Sequence, residues 1–271
     1  MLFVTDKGRM CNNLLQYGHV YAWGREHGVR TISMRFAYKY PYFHISKMRY
    51  HNFMVYFLAK MAAKWKLIPV VDFCNIFPDN TPLENTMQNS RFCLVKGWWV
   101  PWHDLFLKYK KEILQLFAFN DKTTQPVDAF LTKQPLADIR LGIHIRRGDY
   151  RTWHDGKFFY SDEQYLGIIR QFGALHPEKR INVFICGNDP ELDRELFCKE
   201  LKGMNVCFPD GNPGEDLYLL SQCDYLIGAP STYTLVASMY HETPLYWITD
   251  ISTPLCQESF KLFDEQLYHI L

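Results

Sequence analysis

The sequence lacks any long uninterrupted hydrophobic run. No segment contains the ~18 consecutive apolar residues that a membrane-spanning helix needs. The first six residues, Met-Leu-Phe-Val-Thr-Asp, have no basic stretch followed by a long apolar one, which a secretory signal would require. These two absences predict an intracellular, cytoplasmic protein.

The sequence also lacks ordered cysteine spacing. Its 8 cysteines form no Cys-x-x-Cys pair and no Cys/His zinc pattern. Cys93, Cys186 and Cys207 instead lie inside apolar, strand-like runs. We therefore expect reduced cysteines that pack in the core.

Several catalytic motifs are absent as well. The chain contains no Asp-x-Asp, no His-Glu-x-x-His, no Gly-x-Ser-x-Gly and no Gly-x-x-x-x-Gly-Lys-Ser/Thr. A metal-clamped diphosphate, a serine hydrolase and a P-loop enzyme all lose support. The formal net charge of +1 provides no global field that would recruit nucleic acid. The sequence thus predicts no metal site and no nucleic-acid partner.

Strands and helices alternate along the chain, whose 271 residues with 48% hydrophobic content suffice for one large domain or two modest ones. The first half is irregular, with strands predicted at 2–5, 31–35, 67–71 and 92–95 and helices at 12–27, 48–66 and 103–119. The second half is regular, with strands at 141–145, 182–186, 206–208, 225–227 and 244–248 and helices at 162–175, 190–201, 215–223 and 232–241. This alternation predicts an α/β fold with a doubly wound parallel sheet. A linker predicted at 121–135 gives domains at 1–135 and 136–271.

The segment 141–150 reads Leu-Gly-Ile-His-Ile-Arg-Arg-Gly-Asp-Tyr. Its apolar half predicts a buried strand, and Gly148-Asp149 predicts the sharp turn that ends it. Arg146 and Arg147 would then lie at the carboxyl edge of the sheet, where open α/β sheets bind ligands. Because a planar guanidinium suits phosphate oxygens, the pair predicts a diphosphate site. The alternative is an ordinary ion pair at a solvated strand end.

Other polar residues are predicted at the same edge. Asp189 follows the strand at 182–186, and Ser231 and Thr232 open a helix after the strand at 225–227. These side chains either bind a ligand or simply cap helices. His154 and Asp155 follow the arginine motif closely, and they are either general bases or residues of a solvated loop.

Three segments together resemble the α1,2-fucosyltransferases of glycosyltransferase family 11, and more broadly the inverting GDP-fucose-dependent enzymes. The segments are Gly8-Arg-Met-Cys-Asn-Asn-Leu-Leu-Gln-Tyr17, His144-Ile-Arg-Arg-Gly-Asp-Tyr150, and Asp216-Leu-Tyr-Leu-Leu-Ser221 through Ser231-Thr-Tyr-Thr234. The resemblance implies a GT-B-like fold, with two Rossmann-type domains and the nucleotide-sugar site in the cleft. It also implies metal-independent transfer of fucose from GDP-fucose to a glycan hydroxyl, α1,2 to a galactoside, without any other cofactor.

The resemblance also implies roles for individual residues. Arg146 is expected to bind the β-phosphate and to act in catalysis, and Asp149 is expected to organise the motif loop. The remaining donor-binding residues are expected to be Gly8, Arg9, Asn12, His144, Arg147, Asp189, Ser231 and Thr232. Of these, His144 and Asp189 are placed near the guanosine. The family pattern does not mark a general base, so His154, Asp155 and Asp149 stay candidates.

Two departures from the family pattern keep alternatives open. Cys11 stands where the family usually has a second glycine, and Leu235-Val236 replaces the usual tryptophan pair. One alternative is a GT-B enzyme that uses another nucleotide sugar. The other is a non-catalytic homologue that binds a sugar nucleotide or a glycan.

A basic segment lies in the first half. Residues 27–71 contain eight Lys or Arg residues and no Asp or Glu, interleaved with aromatic residues. Basic residues near anionic lipid contribute about 1 kcal/mol each, so the segment predicts peripheral contact with the inner face of a membrane or with a lipid-linked acceptor. The alternatives are a basic acceptor groove and a merely solvated face.

Overall fold

The computed structural model describes residues 1–5, 8–36, 38–187 and 189–270. It divides into two compact units, of which the first is Met1–Lys122 and the second begins at Thr123. The division falls before the boundary predicted at residue 135. Each unit contains one parallel sheet, as the α/β prediction requires.

The N-terminal unit is built on a four-stranded parallel sheet of order β2-β1-β4-β3. Its strands are β1 (Leu2–Val4), β2 (Thr31–Ser33), β3 (Val70–Phe73) and β4 (Cys93–Gly97). Its helices are α1 (Met10–Glu26), α2 (Phe53–Lys64), α3 (Thr81–Asn89), α4 (His103–Lys108) and α5 (Lys110–Leu116), with a 3-10 helix at His44–Lys47. This half is therefore more regular than its sequence pattern indicates.

The C-terminal unit is built on a five-stranded parallel sheet of order β7-β6-β5-β8-β9. Its strands are β5 (Ile139–Ile145), β6 (Ile181–Gly187), β7 (Asn205–Cys207), β8 (Tyr225–Gly228) and β9 (Leu245–Trp247). After α6 (Asp121–Thr132), its helices are α7 (Asp162–Leu175), α8 (Arg194–Glu200), α9 (Pro213–Ser221), α10 (Thr232–Met239) and α11 (Phe263–Gln266). Shorter 3-10 helices lie at Gly148–Arg151, Trp153–Gly156, Gln257–Ser259 and Leu267–His269. The doubly wound parallel sheet is confirmed.

Strand β5 lies at the centre of this sheet and defines its switch point. The chain proceeds outward from β5 through β6 to β7, and then returns to the other side of β5 with β8 and β9. All five residues from Leu141 to Ile145 are buried, as a central strand covered on both faces requires. The loops that leave β5, β6 and β8 therefore emerge side by side at the carboxyl edge, where such sheets bind ligands.

The linker predicted at 121–135 is wrong, because most of it forms α6. Thr123 and Val127 are buried, and their spacing of four residues puts them on one face of the helix. Pro126 lies inside the helix and misled the sequence analysis.

Several predicted helix boundaries also differ from the structure. The helix predicted at 48–66 begins only at Phe53, where the Asn52 side chain accepts a hydrogen bond from Val55 N–H at 3.0 Å. The helix predicted at 103–119 is two helices that meet at Tyr109, and α3 was not predicted. The helix predicted to follow Asp189 begins later, after its cap Asp193.

Candidate functional site

Arg147 is buried in the turn after β5 and is fully engaged by the protein. Its Nε donates to the Tyr160 carbonyl at 2.9 Å, and Nη1 donates to Asp189 Oδ2 at 3.0 Å. Nη2 donates to Asp162 Oδ1. The side chains of Arg147 and its two carboxylate partners are only 9–12% exposed. We call Arg147, Asp162 and Asp189 the buried cluster; it joins the turn after β5 to α7 and to the loop after β6.

The two carboxylates of the buried cluster also bind backbone. Asp162 Oδ2 accepts the Asp193 N–H at 3.1 Å, and Asp189 Oδ1 accepts the Glu191 N–H at 3.0 Å. These contacts give Asp189 a structural role, in addition to the position near guanosine that the resemblance implies. Asp162 was not predicted as a site residue, because its only signal in the sequence is an acidic residue at the start of the helix that follows the arginine motif.

Arg146 has a different environment from its neighbour. Its Nε and Nη2 donate to the two carboxylate oxygens of Asp149 at 3.2 and 2.8 Å, and its guanidinium lies 4.8 Å from the Tyr150 ring centroid. The side chain keeps 16% of its surface exposed. No hydrogen bond from its Nη1 is found among the described residues. Asp149 therefore fixes the plane of the guanidinium and leaves one edge of it for a ligand.

The turn after β5 is hydrogen-bonded to the loop after β8. The Tyr150 hydroxyl donates to the Pro230 carbonyl, and both groups are buried. Ser231 Oγ accepts the Tyr233 N–H at 3.1 Å and caps α10, whose first residue is the half-buried Thr232. The capping alternative therefore holds for Ser231. The N-terminus of α10, which favours anions, begins beside the arginine motif.

His144 is the last but one residue of β5 and pairs in register with Gly228 of β8. Its ring stacks on Tyr233, with 4.7 Å between centroids and 24° between planes. Burial, with a smaller contribution from the charge of Arg146, lowers the pKa of His144 from 6.5 to about 3. The imidazole is therefore neutral at pH 7, and its buried Nδ1 has no hydrogen-bond partner among the described residues. This nitrogen can contact a ligand.

Asp216 is a residue whose importance the sequence analysis missed. It lies in the first turn of α9, where a carboxylate complements the helix dipole. Burial first, and then the charges of Glu215 and Asp210, raise the pKa of Asp216 from 3.8 to about 7. Its Oδ1 is buried without a partner among the described residues. It also lies so close to Gly211 that a Cβ at Gly211 would be 2.7 Å away, so the glycine preserves access to the carboxylate.

The candidate general bases His154 and Asp155 lie on an exposed turn. Both residues take left-handed backbone conformations, with φ of 47° and 56°. The His154 ring packs edge-on against Trp153, with 4.3 Å between centroids. Neither side chain is held in a fixed catalytic geometry by the contacts that the structure describes.

The N-terminal unit holds the other three predicted donor-binding residues at the start of α1. Gly8 has a left-handed φ of 67°, a backbone conformation that residues with a side chain rarely adopt. Arg9 is the exposed residue before α1, and its carbonyl accepts a hydrogen bond from Asn13 Nδ2 at 2.7 Å. Asn12 is half-buried in the first turn. These residues form one group within their own unit.

Two features are absent from the residues that the structure describes. They contain no group of three or more His, Cys, Asp or Glu side chains placed to hold a metal ion. None of the helices in the described part of the chain is long and apolar enough to cross a membrane.

Comparison with known proteins identifies the fold. No known family profile matches the chain. Over 272 aligned residues it is 21% identical to galactoside alpha-(1,2)-fucosyltransferase 2 of Oryctolagus cuniculus, covering 94% of this chain and 71% of that protein. Across three curated relatives the matched region spans between 44% and 71% of the relative's length.

Solved structures similar to this chain are fucosyltransferases as well. A variant of Arabidopsis thaliana FUT1 in complex with GDP superposes with a TM-score of 0.64 at 13% identity, covering 96% of this chain and 73% of that one. NodZ alpha-1,6-fucosyltransferase soaked with GDP-fucose gives 0.56 at 12% identity, covering 91% of this chain and 94% of that one. The chain has the GT-B fold of the fucosyltransferases. The resemblance inferred from the motifs is thereby confirmed, and the fucosyltransferase fold accounts for the parallel sheets of both units.

Proposed function

We propose that the protein is an inverting glycosyltransferase that moves fucose from GDP-fucose to a glycan hydroxyl, forming an α1,2 linkage to a galactoside. The solved structures with this fold include fucosyltransferases bound to GDP and GDP-fucose, and the curated relatives include an α1,2-fucosyltransferase. The observation that carries the proposal is Arg146, held in plane by Asp149 with one edge open at the switch point of the sheet.

Arg146 acts on the leaving group. As the bond from fucose to the diphosphate breaks, negative charge grows on the β-phosphate, and a preorganised guanidinium binds that charge more strongly than it binds the ground state. The N-terminus of α10 at Ser231 and Thr232 adds backbone N–H groups and a favourable dipole. Asp149 is a positioning residue, because it contacts Arg146 rather than the diphosphate.

Asp216 and His144 recognise the nucleoside through hydrogen bonds. The carboxylate of Asp216 can accept both hydrogen bonds from the N1–H and N2–H₂ groups of guanine, a pair of donors that adenine does not have. The unpartnered Nδ1 of His144 supplies a further hydrogen bond nearby. This pairing explains why a buried carboxylate is retained without a protein partner, since a ligand supplies one.

The sugar and the acceptor are assigned to the N-terminal unit, with Gly8, Arg9 and Asn12 on the sugar side. His154 and Asp155 are the candidates that remain for removing the proton from the attacking hydroxyl, because both carboxylate oxygens of Asp149 accept hydrogen bonds from Arg146. We also place the basic segment 27–71 at a membrane surface, in peripheral contact.

The reaction needs no divalent metal, because Arg146 and the start of α10 can neutralise the leaving diphosphate. Excess EDTA is therefore expected to leave turnover intact. Loss of most turnover, restored by manganese or magnesium, would contradict the metal-free mechanism.

The direct test is incubation with GDP-fucose and an array of galactosides, followed by mass spectrometry of the products. Addition of one fucose to a galactoside, with linkage analysis giving α1,2, supports the proposal. A panel of nucleotide sugars in a thermal-shift assay tests the first alternative, which gains support if GDP-fucose fails to stabilise the protein while another donor succeeds. Binding of GDP without any turnover would instead favour the non-catalytic homologue.

A further inference from the structure

Helix α2 turns its small residues inward and its bulky apolar residues outward. Ala59 is buried against Met34 and Leu94, and Tyr56 and Ala63 pack at the edge of the same cluster. The outward side carries four large apolar residues that are 47% to 63% exposed: Phe53, Met54, Phe57 and Leu58. A helix that only covers a core shows the reverse pattern, with its bulky apolar residues buried and its polar residues in water.

The exposed apolar residues form a stripe along the helix. Met54 and Leu58 are four residues apart, and Trp65, at the C-terminal cap of α2, follows Leu58 by seven, so all three project from one side. Trp65 is as exposed as Met54. We call Phe53, Met54, Phe57, Leu58 and Trp65 the α2 patch. Single exposed apolar residues need no explanation, but a stripe that includes a tryptophan indicates an interaction surface.

The charge around the α2 patch favours an anionic partner. The whole chain carries 30 basic and 29 acidic residues, yet residues 27–71 contain eight basic residues and no acidic one. Lys60, Lys64 and Lys66 are exposed on or just after α2. A second copy of the chain is disfavoured as the partner, because a two-fold interface would bring this basic segment against itself.

We propose that α2 lies in the interfacial plane of an anionic lipid bilayer, with the α2 patch inserted among the acyl chains and the lysines on the headgroup phosphates. Aromatic and leucine side chains on one face with lysines beside them are the composition of interfacial helices. The inference rests on the peripheral contact proposed above and identifies its residues. It does not depend on the sugar donor or on the reaction.

The test is flotation of the full chain with vesicles of phosphatidylglycerol and phosphatidylcholine in equal parts, and with vesicles of phosphatidylcholine alone. The wild-type chain is expected to float with the anionic vesicles and to be released as salt rises. Changing Phe53, Met54, Phe57 and Leu58 together to serine is expected to weaken partitioning by on the order of tenfold or more. Lys64→Glu combined with Lys66→Glu is expected to weaken it by about 25-fold or more, at about fivefold for each basic residue lost.

Matched control variants lie in the C-terminal unit. Leu136 and Leu262 are exposed leucines, and Lys199 and Lys202 are exposed lysines. Leu136→Ser with Leu262→Ser, and Lys199→Glu with Lys202→Glu, are expected to leave flotation unchanged. Melting curves verify that every variant is folded.

Three results would overturn the proposal. The wild-type chain stays at the bottom of the gradient with anionic vesicles, or the control variants lose flotation as strongly as the α2 variants. The third such result is a wild-type dimer in sedimentation that is lost in the serine variant, without any binding to vesicles. Turnover with GDP-fucose and a water-soluble galactoside separates this inference from the proposed function, because the α2 variants are expected to keep that turnover whether or not they bind lipid.

Discussion

The carboxyl edge of the C-terminal sheet contains two groups of polar residues that the protein treats in opposite ways. In the buried cluster, the charged groups of Arg147, Asp162 and Asp189 are hydrogen-bonded to one another or to backbone. In the second group, His144 Nδ1 and Asp216 Oδ1 are buried without a partner among the described residues. Because unsatisfied buried polar groups are costly, the second group is where a ligand is expected.

The largest effect on stability is expected when the buried cluster is broken. Arg147→Met leaves the carboxylates of Asp162 and Asp189 buried without their cation, which typically costs about 3–5 kcal/mol in the free energy of unfolding. Chemical denaturation measures this change in the free energy of unfolding. Arg180→Met is the control, since Arg180 forms a similar pair with Asp138 at the surface, where solvent screens the charges and the loss is expected to cost much less. Equal costs for the two variants would show that the buried cluster has no special structural role.

A smaller effect is expected in the ligand-facing group. Asp216→Asn keeps the shape of the side chain but replaces one acceptor oxygen with a donor. The new N–H group would then face an N–H donor of guanine instead of accepting its hydrogen bond. The preference for GDP over ADP is expected to fall by about 1–3 kcal/mol. Calorimetric titration with both nucleotides measures this preference, and Glu215→Gln, a change in the neighbouring half-buried carboxylate, is the control. Unchanged preference in Asp216→Asn would remove Asp216 from the nucleoside site.

The smallest expected effect is on the pH dependence of stability. Asp216 has a pKa of about 7 in the folded chain against 3.8 ordinarily, so the folded state binds more protons and stability falls as pH rises through 7. Buried histidines act oppositely, because the pKa values of His144 and His19 are lowered from 6.5 to about 3 and the unfolded chain still binds their protons near pH 6.5. Between pH 6.5 and 8 the two effects overlap, so the Asp216 contribution, below ~1 kcal/mol, is obtained as the difference between the wild-type chain and Asp216→Asn.

Melting curves across that interval give the answer for the wild-type chain and for Asp216→Asn. In nucleotide-free buffer, the melting temperature of Asp216→Asn minus that of the wild-type chain is expected to increase toward pH 8. A difference that stays constant across the interval would mean that Asp216 does not titrate near neutrality.

The sequence was informative where local signals and the fold agree. The helix predicted at 162–175 is α7 with the same bounds, because Ser161 and Gln164 form a capping box that local sequence reveals. The strand at β5 was also predictable, since a central parallel strand is an apolar run. The position of Arg146 at the carboxyl edge of the sheet follows from the same strand, which ends at Ile145.

Contacts distant in sequence account for what was missed. Asp189 lies 42 residues from Arg147, so the sequence could not reveal that its carboxylate is engaged there and that α8 begins only after Asp193. The burial of Asp216 depends on its three-dimensional neighbours and has no local signature. In α2 the apolar pattern alone could not distinguish the buried side at Ala59 from the exposed one, because both are apolar.

The central claim is that two adjacent arginines have separate roles, with Arg146 for the leaving diphosphate and Arg147 for the structure. The most direct measurement is turnover with GDP-fucose together with the melting temperature for Arg146→Lys and Arg147→Lys. Lysine keeps the charge but loses the planar fork. We expect Arg146→Lys to lower turnover by about 10²–10³ with an unchanged melting temperature, and Arg147→Lys to lower the melting temperature with a milder loss of turnover. Near-normal turnover in Arg146→Lys, with an inactive but equally stable Arg147→Lys, would contradict the account.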